Sequence, residues 1–252
     1  MIVALPMYDR PEVAAVHDRL CQLFVEAYGD GPQKRTDPKD LWALWQNPEL
    51  LLAQTCGYPL RIYLKGKVAL IGAPDHGISE VPAGHYCSVI VTRTSHIAAH
   101  IAAQSDHPIA ALDGARMAYN ETLSQSGWAA PWQHFKQASV RIGPRLQSGS
   151  HRKSAQMVAR GDADFAALDV VSWKLMQRHD AFASALMAVA QTAPTPALPF
   201  ISAAYRDVSP IFFALEKAIA ALSPSEQAEL MLKGLVNIAQ SSYDAVPNPP
   251  SP

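Results

Sequence analysis

Two short polar stretches contain the residue types best suited to holding an anion without a cationic side chain. They lie at residues 120–128 and 147–151, each after an extended apolar run and before a helical pattern. Their candidate binding residues are Ser124, Gln125, Ser126, Gly127, Ser150 and His151. A helix start presents outward-pointing N–H groups and the positive end of the helix dipole, which together accept an oxyanion. Two such starts close together would form a pocket for a tetrahedral anion.

Ser124 and Ser150 have a simpler interpretation. Serine is a common N-cap, and either residue could serve only to cap the helix that follows it. The sequence alone leaves both interpretations open.

The elements around these stretches alternate between strand and helix. From Leu112 onward the pattern is strand, Ser/Gly loop, helix, repeated, and it includes predicted strands at 116–119, 140–146 and 164–168. Ligands of open α/β sheets bind beyond the carboxyl ends of the strands. Ser124, Ser150, His151 and Asp169 all fall at such ends.

The flanking segments also predict regular elements. Residues 2–5 indicate a buried strand, and residues 11–28 an amphipathic helix that begins near Pro11. Asp37 and Pro38 predict the cap and first residue of a second helix. Ser223 and Glu226 predict a capping box, and the last six residues a loose tail.

Composition excludes several classes of protein. The 252 residues are 49% hydrophobic and 17% charged, with a net charge of -1. This balance gives no electrostatic case for nucleic acid or an anionic membrane as partner. No apolar run reaches the length of about 18 residues that membrane insertion needs. The N-terminus lacks a basic region and a signal-length apolar core, which indicates a cytoplasmic protein as written, or a periplasmic one if a leader was removed.

Metal and cofactor sites are not expected. The three cysteines contain no CxxC pair, and the nine histidines show no metal-ligand spacing. His96 and His100 lie four residues apart, but the pattern offers no third ligand. We expect neither a metal nor a cofactor.

Several ordered motifs give the chain a family resemblance. They are Leu123-Ser-Gln-Ser-Gly127, then Gly149-Ser150-His151, then the segment from Val158 to Asp169 that contains Gly161-Asp-Ala-Asp164. In this order they resemble the phosphate, phosphite and phosphonate receptors of ABC transporters, which have the type II periplasmic-binding-protein fold. The resemblance covers most of the chain and is best from Tyr86 to Phe200.

The resemblance implies an α/β fold of two lobes, each a mixed sheet flanked by helices, with a ligand cleft between them. The first lobe would comprise residues 1–87 and 192–252, and the second residues 88–191. Crossover strands would lie near residues 86–92 and 186–192. The implied function is binding of a small tetrahedral oxyanion (phosphate, phosphite or an organic phosphonate), with an ABC permease as partner.

The resemblance also assigns roles to residues. The Ser-x-Ser-Gly helix start and the histidine would hold the oxyanion. Asp169 would face a substrate amine, although it could equally cap the helix that follows. The other wall of the cleft would be formed by Tyr8, Gln54, Thr55, Tyr58 and Tyr86, of which Thr55 and Tyr86 match best.

Three other functions compete with this one. The same fold binds other anionic metabolites, such as ligands of the sulfonate or thiamin-pyrimidine type. Ser124 or Ser126 with His151 and Asp169 offers a superficial Ser/His/Asp hydrolase set, but the Gly-x-Ser-x-Gly elbow is missing, and we expect no enzyme. A cytoplasmic sensor domain would bind a ligand and then a partner protein.

Overall fold

The computed structural model describes residues 1–79, 81–96 and 109–252. Its internal contacts group Met1–Tyr86 with Thr195–Val246 as a first unit, and Cys87–Pro194 with Pro247–Pro252 as a second. The predicted lobes place the last six residues in the first lobe, whereas the structure places them in the second unit, where Trp128 Nε1 donates to Pro250 O at 2.8 Å. His100 of the predicted histidine pair lies outside the described residues.

Strands are numbered along the chain. They are β1 (Ile2–Ala4), β2 (Leu50–Gln54), β3 (Val68–Asp75), β4 (His85–Tyr86), β5 (Ser88–Arg93), β6 (Met117–Tyr119), β7 (Arg145–Gln147), β8 (Phe165–Asp169), β9 (Leu186–Gln191), β10 (Thr195–Pro196), β11 (Phe200–Ala203) and β12 (Gly234–Val236).

Helices are numbered in the same way. They are α1 (Ala14–Tyr28), α2 (Leu41–Trp45), α3 (Gly57–Pro59), α4 (Ala130–Gln137), α5 (His151–Arg160), α6 (Val170–His179), α7 (Val208–Ala221), α8 (Pro224–Leu230) and α9 (Gln240–Asp244). A π-helical turn at Leu60–Leu64 extends α3, and another at Gln125–Ala129 leads into α4. In the described part of the chain, no helix is both long and apolar enough to span a membrane.

Each unit is built on one mixed sheet of five strands. The order is β1-β2-β11-β3-β12 in the first unit and β7-β6-β8-β5-β9 in the second. In the second sheet β6 runs parallel to both β7 and β8, whereas β5 is antiparallel to β8 and β9. The predicted α/β class with mixed sheets is therefore confirmed.

The core of the second unit is aromatic. Phe135 of α4 stacks on Phe165 of β8, with ring centroids 4.9 Å apart, and both are buried. Trp128 and Met117 pack in the same cluster. This packing fixes α4, and the turn that precedes it, against the face of the sheet.

Several predicted boundaries are wrong. Asp40, and not Asp37, caps α2, because its carboxylate accepts from the amides of Trp42 and Ala43. Residues 37–39 lie outside the helix, so Pro38 does not occupy its first turn.

The predicted strand at 140–146 is also too long, since only Arg145–Gln147 pairs with β6. Gly143 lies so close to the backbone of Gly114 that a Cβ would lie 2.1 Å from Gly114 O. Gly143 N donates to Ala115 O at 3.0 Å, but regular pairing with β6 begins only at Arg145.

The aromatic core gives a first prediction. Phe135→Ala should lower the free energy of unfolding by about 3–5 kcal/mol, because it opens a cavity under a ring that is 1% exposed. Phe213→Ala removes the same atoms from a side chain that is 66% exposed and should change stability by less than about 0.5 kcal/mol. Urea denaturation measures both, and equal losses would contradict this description of the core.

Candidate functional site

Three polar stretches meet at one edge of the second sheet. Since β6, β7 and β8 are parallel neighbours, their carboxyl ends point the same way. Tyr119 lies opposite Gln147, and Asp169 ends β8. The stretches after these strands are the ones that the sequence singled out, so the structure brings the second unit's predicted site residues to a common edge.

The first stretch forms an unusual helix start. Ser124 O accepts from Trp128 N at 3.2 Å and from Ala129 N at 3.0 Å, so the chain enters the helix through a π turn. Ser124 Oγ accepts from Gly127 N at 2.9 Å and caps this turn. The helix therefore begins at Gln125, inside the polar stretch at 120–128 that the sequence pattern places before the helix.

Capping changes the roles of two predicted ligands. The N-cap interpretation of Ser124 is confirmed, and the N–H of Gly127 is already used by that cap. Ser126 is the second residue of this turn, where helix geometry leaves N–H groups without a partner within the helix. Ser126 is 3% exposed.

The second stretch is tied to the first by hydrogen bonds that continue beyond the strands. Ser148 N donates to Tyr119 O at 2.8 Å, and Gly149 N donates to Asn120 O at 2.9 Å. Ser150 Oγ accepts from Lys153 N at 3.2 Å, so Ser150 is also an N-cap. These bonds fix where α5 begins relative to β6.

A side-chain hydrogen bond joins the two helix starts. Ser126 Oγ lies 2.9 Å from Nε2 of His151, the first residue of α5. Desolvation of the ring, whose Nδ1 is buried, lowers the pKa of His151 to about 4, and the backbone at Ala167 of β8 acts in the opposite direction. At neutral pH the imidazole is therefore uncharged.

Asp169 also serves as a cap. Its carboxylate accepts from Val171 N at 2.8 Å and from Ser172 N at 3.0 Å, and the residue is 2% exposed. The N-cap interpretation is confirmed, and a role toward a substrate amine stays a prediction.

A hydrolase triad does not fit this arrangement. The ring nitrogen that a triad would pair with the acid, Nδ1, has no hydrogen-bond partner among the described residues. Asp169 is engaged in the cap of α6.

The candidates of the first unit follow its strands or lie in β4, and all are buried. Tyr8 packs edge-on against His76, with ring centroids 5.3 Å apart. Thr55 follows β2 directly and is fully buried. Tyr86 pairs with Thr195 across β4 and β10. Their contribution to ligand binding stays a prediction.

Sequence analysis overlooked two ionisable residues beside these candidates. The guanidinium of Arg61 lies 4.4 Å from the ring centroid of Tyr58, and burial lowers the pKa of Arg61. The i, i+3 spacing of Tyr58 and Arg61 on a helical segment could have indicated this contact.

His76 follows β3 and lines a cavity of about 20 Å³ with Tyr8, His17 and Gln54. Such a volume holds one water molecule and no organic ligand. His76 Nδ1 lies 2.8 Å from Met231 O, and burial lowers the pKa of His76 to about 4.

Comparison with known proteins places the chain in a family. Residues 63–243 match the family described as "ABC transporter, phosphonate, periplasmic substrate-binding protein". The chain belongs to this family. The family consists of solute receptors, so this phosphonate-family receptor is a binding protein and not an enzyme. No curated protein matches its sequence.

Solved structures with the same fold include two phosphonate receptors. PhnD1 from Prochlorococcus marinus in complex with methylphosphonate is 17% identical with a TM-score of 0.71, over 96% of this chain and 94% of that one. The binding-protein component of an ABC phosphonate transporter (PA3383) from Pseudomonas aeruginosa is 13% identical with a TM-score of 0.69, over 96% of this chain and 82% of that one.

A third similar structure, XAC2383 from Xanthomonas citri bound to ATP, is 15% identical with a TM-score of 0.65, over 96% of this chain and 92% of that one. At these identities the likeness shows the shared fold, and the two ligands that are named, methylphosphonate and ATP, differ.

The helix start at Ser124 requires a glycine at position 127. A Cβ on Gly127 would lie 1.8 Å from Asn120 Oδ1. Gly127→Ala should therefore displace Asn120 or the turn and lower the free energy of unfolding by about 1–3 kcal/mol. Gly234→Ala, where nothing lies within 4 Å of the added methyl, is the matched control. Thermal unfolding measures the stability of both variants. An unchanged midpoint for Gly127→Ala would show that the turn accommodates a side chain.

His76 predicts a loss of stability in acid. The unfolded state, with a pKa near 6.5, binds more protons than the folded state, with a pKa of about 4. Stability should therefore fall as pH drops from 6.5 toward 4, by about 3 kcal/mol for this group. His76→Gln removes that part of the slope, which urea denaturation across this pH range measures. An identical slope in the variant would show that the pKa of His76 does not differ between the folded and unfolded states.

Proposed function

We propose that this receptor binds a small tetrahedral oxyanion (phosphate, phosphite or an organic phosphonate) at the carboxyl ends of β6 and β7. The observation that carries this proposal is the 2.9 Å contact between Ser126 Oγ and His151 Nε2. It brings together two polar side chains that each stand in the first turn of a helix. Family membership supports the same ligand class.

The positive electrostatic potential at the proposed site comes from helix dipoles. At neutral pH His151 carries no charge, because its pKa is about 4. First-turn amides and the positive ends of the two helices would stabilise the anion, with dipole contributions of about 0.3–2 kcal/mol each. Hydroxyl and imidazole groups add directional bonds to a charged ligand, of about 1.5–3 kcal/mol each.

The roles of the individual residues follow from their bonding. We propose that Ser126 and His151 contact the oxyanion directly. Ser124 and Ser150 would act as caps that hold the two helix starts, with a free proton on each hydroxyl for the ligand. Gln125 and Gly127 would shape the turn, and Asp169 would meet an amine where the ligand has one.

The remaining roles rest on family membership alone. We propose an ABC permease as partner and the periplasm as compartment. Tyr8, Thr55, Tyr58 and Tyr86 are proposed to contact the organic part of the ligand.

Titration calorimetry with phosphate, phosphite, methylphosphonate, 2-aminoethylphosphonate and sulfate tests the ligand class. At least one phosphorus oxyanion should bind, and a ligand at about 100 times its Kd should add roughly 2.7 kcal/mol of stability. No binding or thermal shift with any oxyanion would overturn the proposal and leave the serines as structural caps.

Ser126→Ala tests the site itself. Loss of one hydrogen bond to a charged ligand should weaken binding by about 10- to 100-fold, while the fold is retained. The control is Ser223→Ala, the same change at the capping box of α8 in the first unit. It should cost about 1 kcal/mol of stability and leave Kd unchanged. Equal Kd values for both variants would place the ligand elsewhere.

A further inference from the structure

We infer that residues Pro247–Pro252, called the proline segment below, are a positioning element of the proposed anion site. By docking on Trp128, the segment holds the π turn that carries Ser126. The inference rests on the proposed function and assigns a role to residues outside the proposed ligand contacts.

The composition of the proline segment suits it to docking on an aromatic side chain. Four of its six residues are prolines. Proline fixes φ at about −65° and has no N–H, so the segment loses little conformational entropy on docking and offers carbonyl acceptors to its partner. Proline-rich segments dock in aromatic-lined grooves. A tryptophan supplies both the aromatic surface and a hydrogen-bond donor.

Trp128 is the tryptophan on which the segment docks. Its Nε1 donates to Pro250 O at 2.8 Å, and the neighbouring Pro249 is buried. The indole is 1% exposed and also packs against Tyr119, the last residue of β6, with ring centroids 6.0 Å apart. Trp128 is therefore held both by the end of a core strand and by the proline segment.

The segment docks where the chain has just left the other unit. Residues Thr195–Val246 belong to the first unit, whereas Pro247–Pro252 belong to the second. The contacts of the proline segment are therefore directed to the second unit, which contains Trp128 and the proposed anion site.

The π turn at Gln125–Ala129 is the element that the docked indole stabilises. Ser124 O accepts from both Trp128 N and Ala129 N. Single π turns are rare, and the ordinary α pattern competes with them. The two patterns point the side chains of the turn in different directions. The position of the Ser126 hydroxyl therefore depends on which pattern the chain adopts, and a fixed indole two residues later favours one of them.

Docking of the segment and binding of the ligand are then linked through the turn. If the docked segment raises the affinity for the anion, the bound anion must strengthen docking by the same factor. Residues that do not contact a ligand change such coupling by about 2- to 30-fold.

Deletion of residues 247–252 tests this role without changing a core side chain. The variant should stay folded, and its Kd for methylphosphonate should weaken by about 2- to 30-fold. Deletion of Pro252 alone is the matched control. It keeps Pro249 and Pro250 and should leave Kd unchanged.

Hydrogen exchange separates positioning from a general loss of stability, and it needs no ligand. In the variant without the segment, the amides of Trp128 and Ala129, which both donate to Ser124 O, should exchange faster. The amide of Ser154 donates to Ser150 O at 2.9 Å at the start of α5 and should exchange as in the wild type. Equal acceleration at Ser154 would show a general destabilisation and contradict the positioning role.

Trp128→Phe removes the donor and keeps an aromatic ring. It should weaken Kd as the deletion does, and the two changes together should weaken it little further, because both remove the same contact. Trp42→Phe makes the same substitution in the first unit, at a side chain that is 37% exposed, and should leave Kd unchanged. The deletion variant decides if Trp128→Phe fails to fold.

The indole N–H of Trp128 reports the reverse effect of the ligand. Nuclear magnetic resonance follows its exchange with water, which methylphosphonate should slow, because the linkage is reciprocal.

An unchanged Kd, or unchanged exchange at the π turn, in the deletion variant would overturn this inference and leave the proposed function intact. No binding of any oxyanion by the wild type would overturn the proposed function. The exchange rates alone would then decide whether the proline segment holds the turn.

Discussion

Parallel pairing of β6 with β7 and β8 is the constraint on which the candidate site depends. It places Tyr119 beside Gln147, so that the chain leaves adjacent strands at the same sheet edge. Backbone bonds from Ser148 to Tyr119 and from Gly149 to Asn120 extend that alignment beyond the strands. The two helix starts can then meet through Ser126 and His151. A one-residue slip in register would separate them.

A neutral, hydrogen-bonded pair suits a receptor that must release its ligand. Fixed cations in a desolvated pocket would bind any anion strongly, whereas amides, hydroxyls and a neutral imidazole contribute modest and directional terms. Specificity then depends on whether each donor meets an acceptor and each acceptor a donor. Family membership identifies the protein as a receptor, and the shared fold accommodates different ligands in its relatives.

Sequence patterns predicted the α/β class because it depends on local apolar periodicity and on clear caps. Asp169 before Val170 and the capping box at Ser223 are local signals, and the structure shows both. Non-local contacts were not predictable in the same way. The close approach of Gly143 to Gly114 lies within a predicted strand, and no neighbouring residue signals it.

Sequence patterns indicated the positions of the helix starts more than the hydrogen bonds that form them. Ser/Gly clusters after strands indicated where helix starts would lie, but the π turn at Gln125–Ala129 depends on Ser124 O accepting two amides. The burial of His76 could not be predicted because it arises from packing within the first unit and not from a local pattern, whereas the spacing of Arg61 from Tyr58 is a local signal.

A double-mutant cycle on Ser126 and His151 tests the central claim most directly. Methylphosphonate affinity would be measured for the wild type, Ser126→Ala, His151→Gln and the double variant. If the pair acts as one binding element, the two losses should be non-additive, with a coupling energy of about 1 kcal/mol or more. Losses that add within about 0.3–0.5 kcal/mol, or no loss in either single variant, would contradict the account.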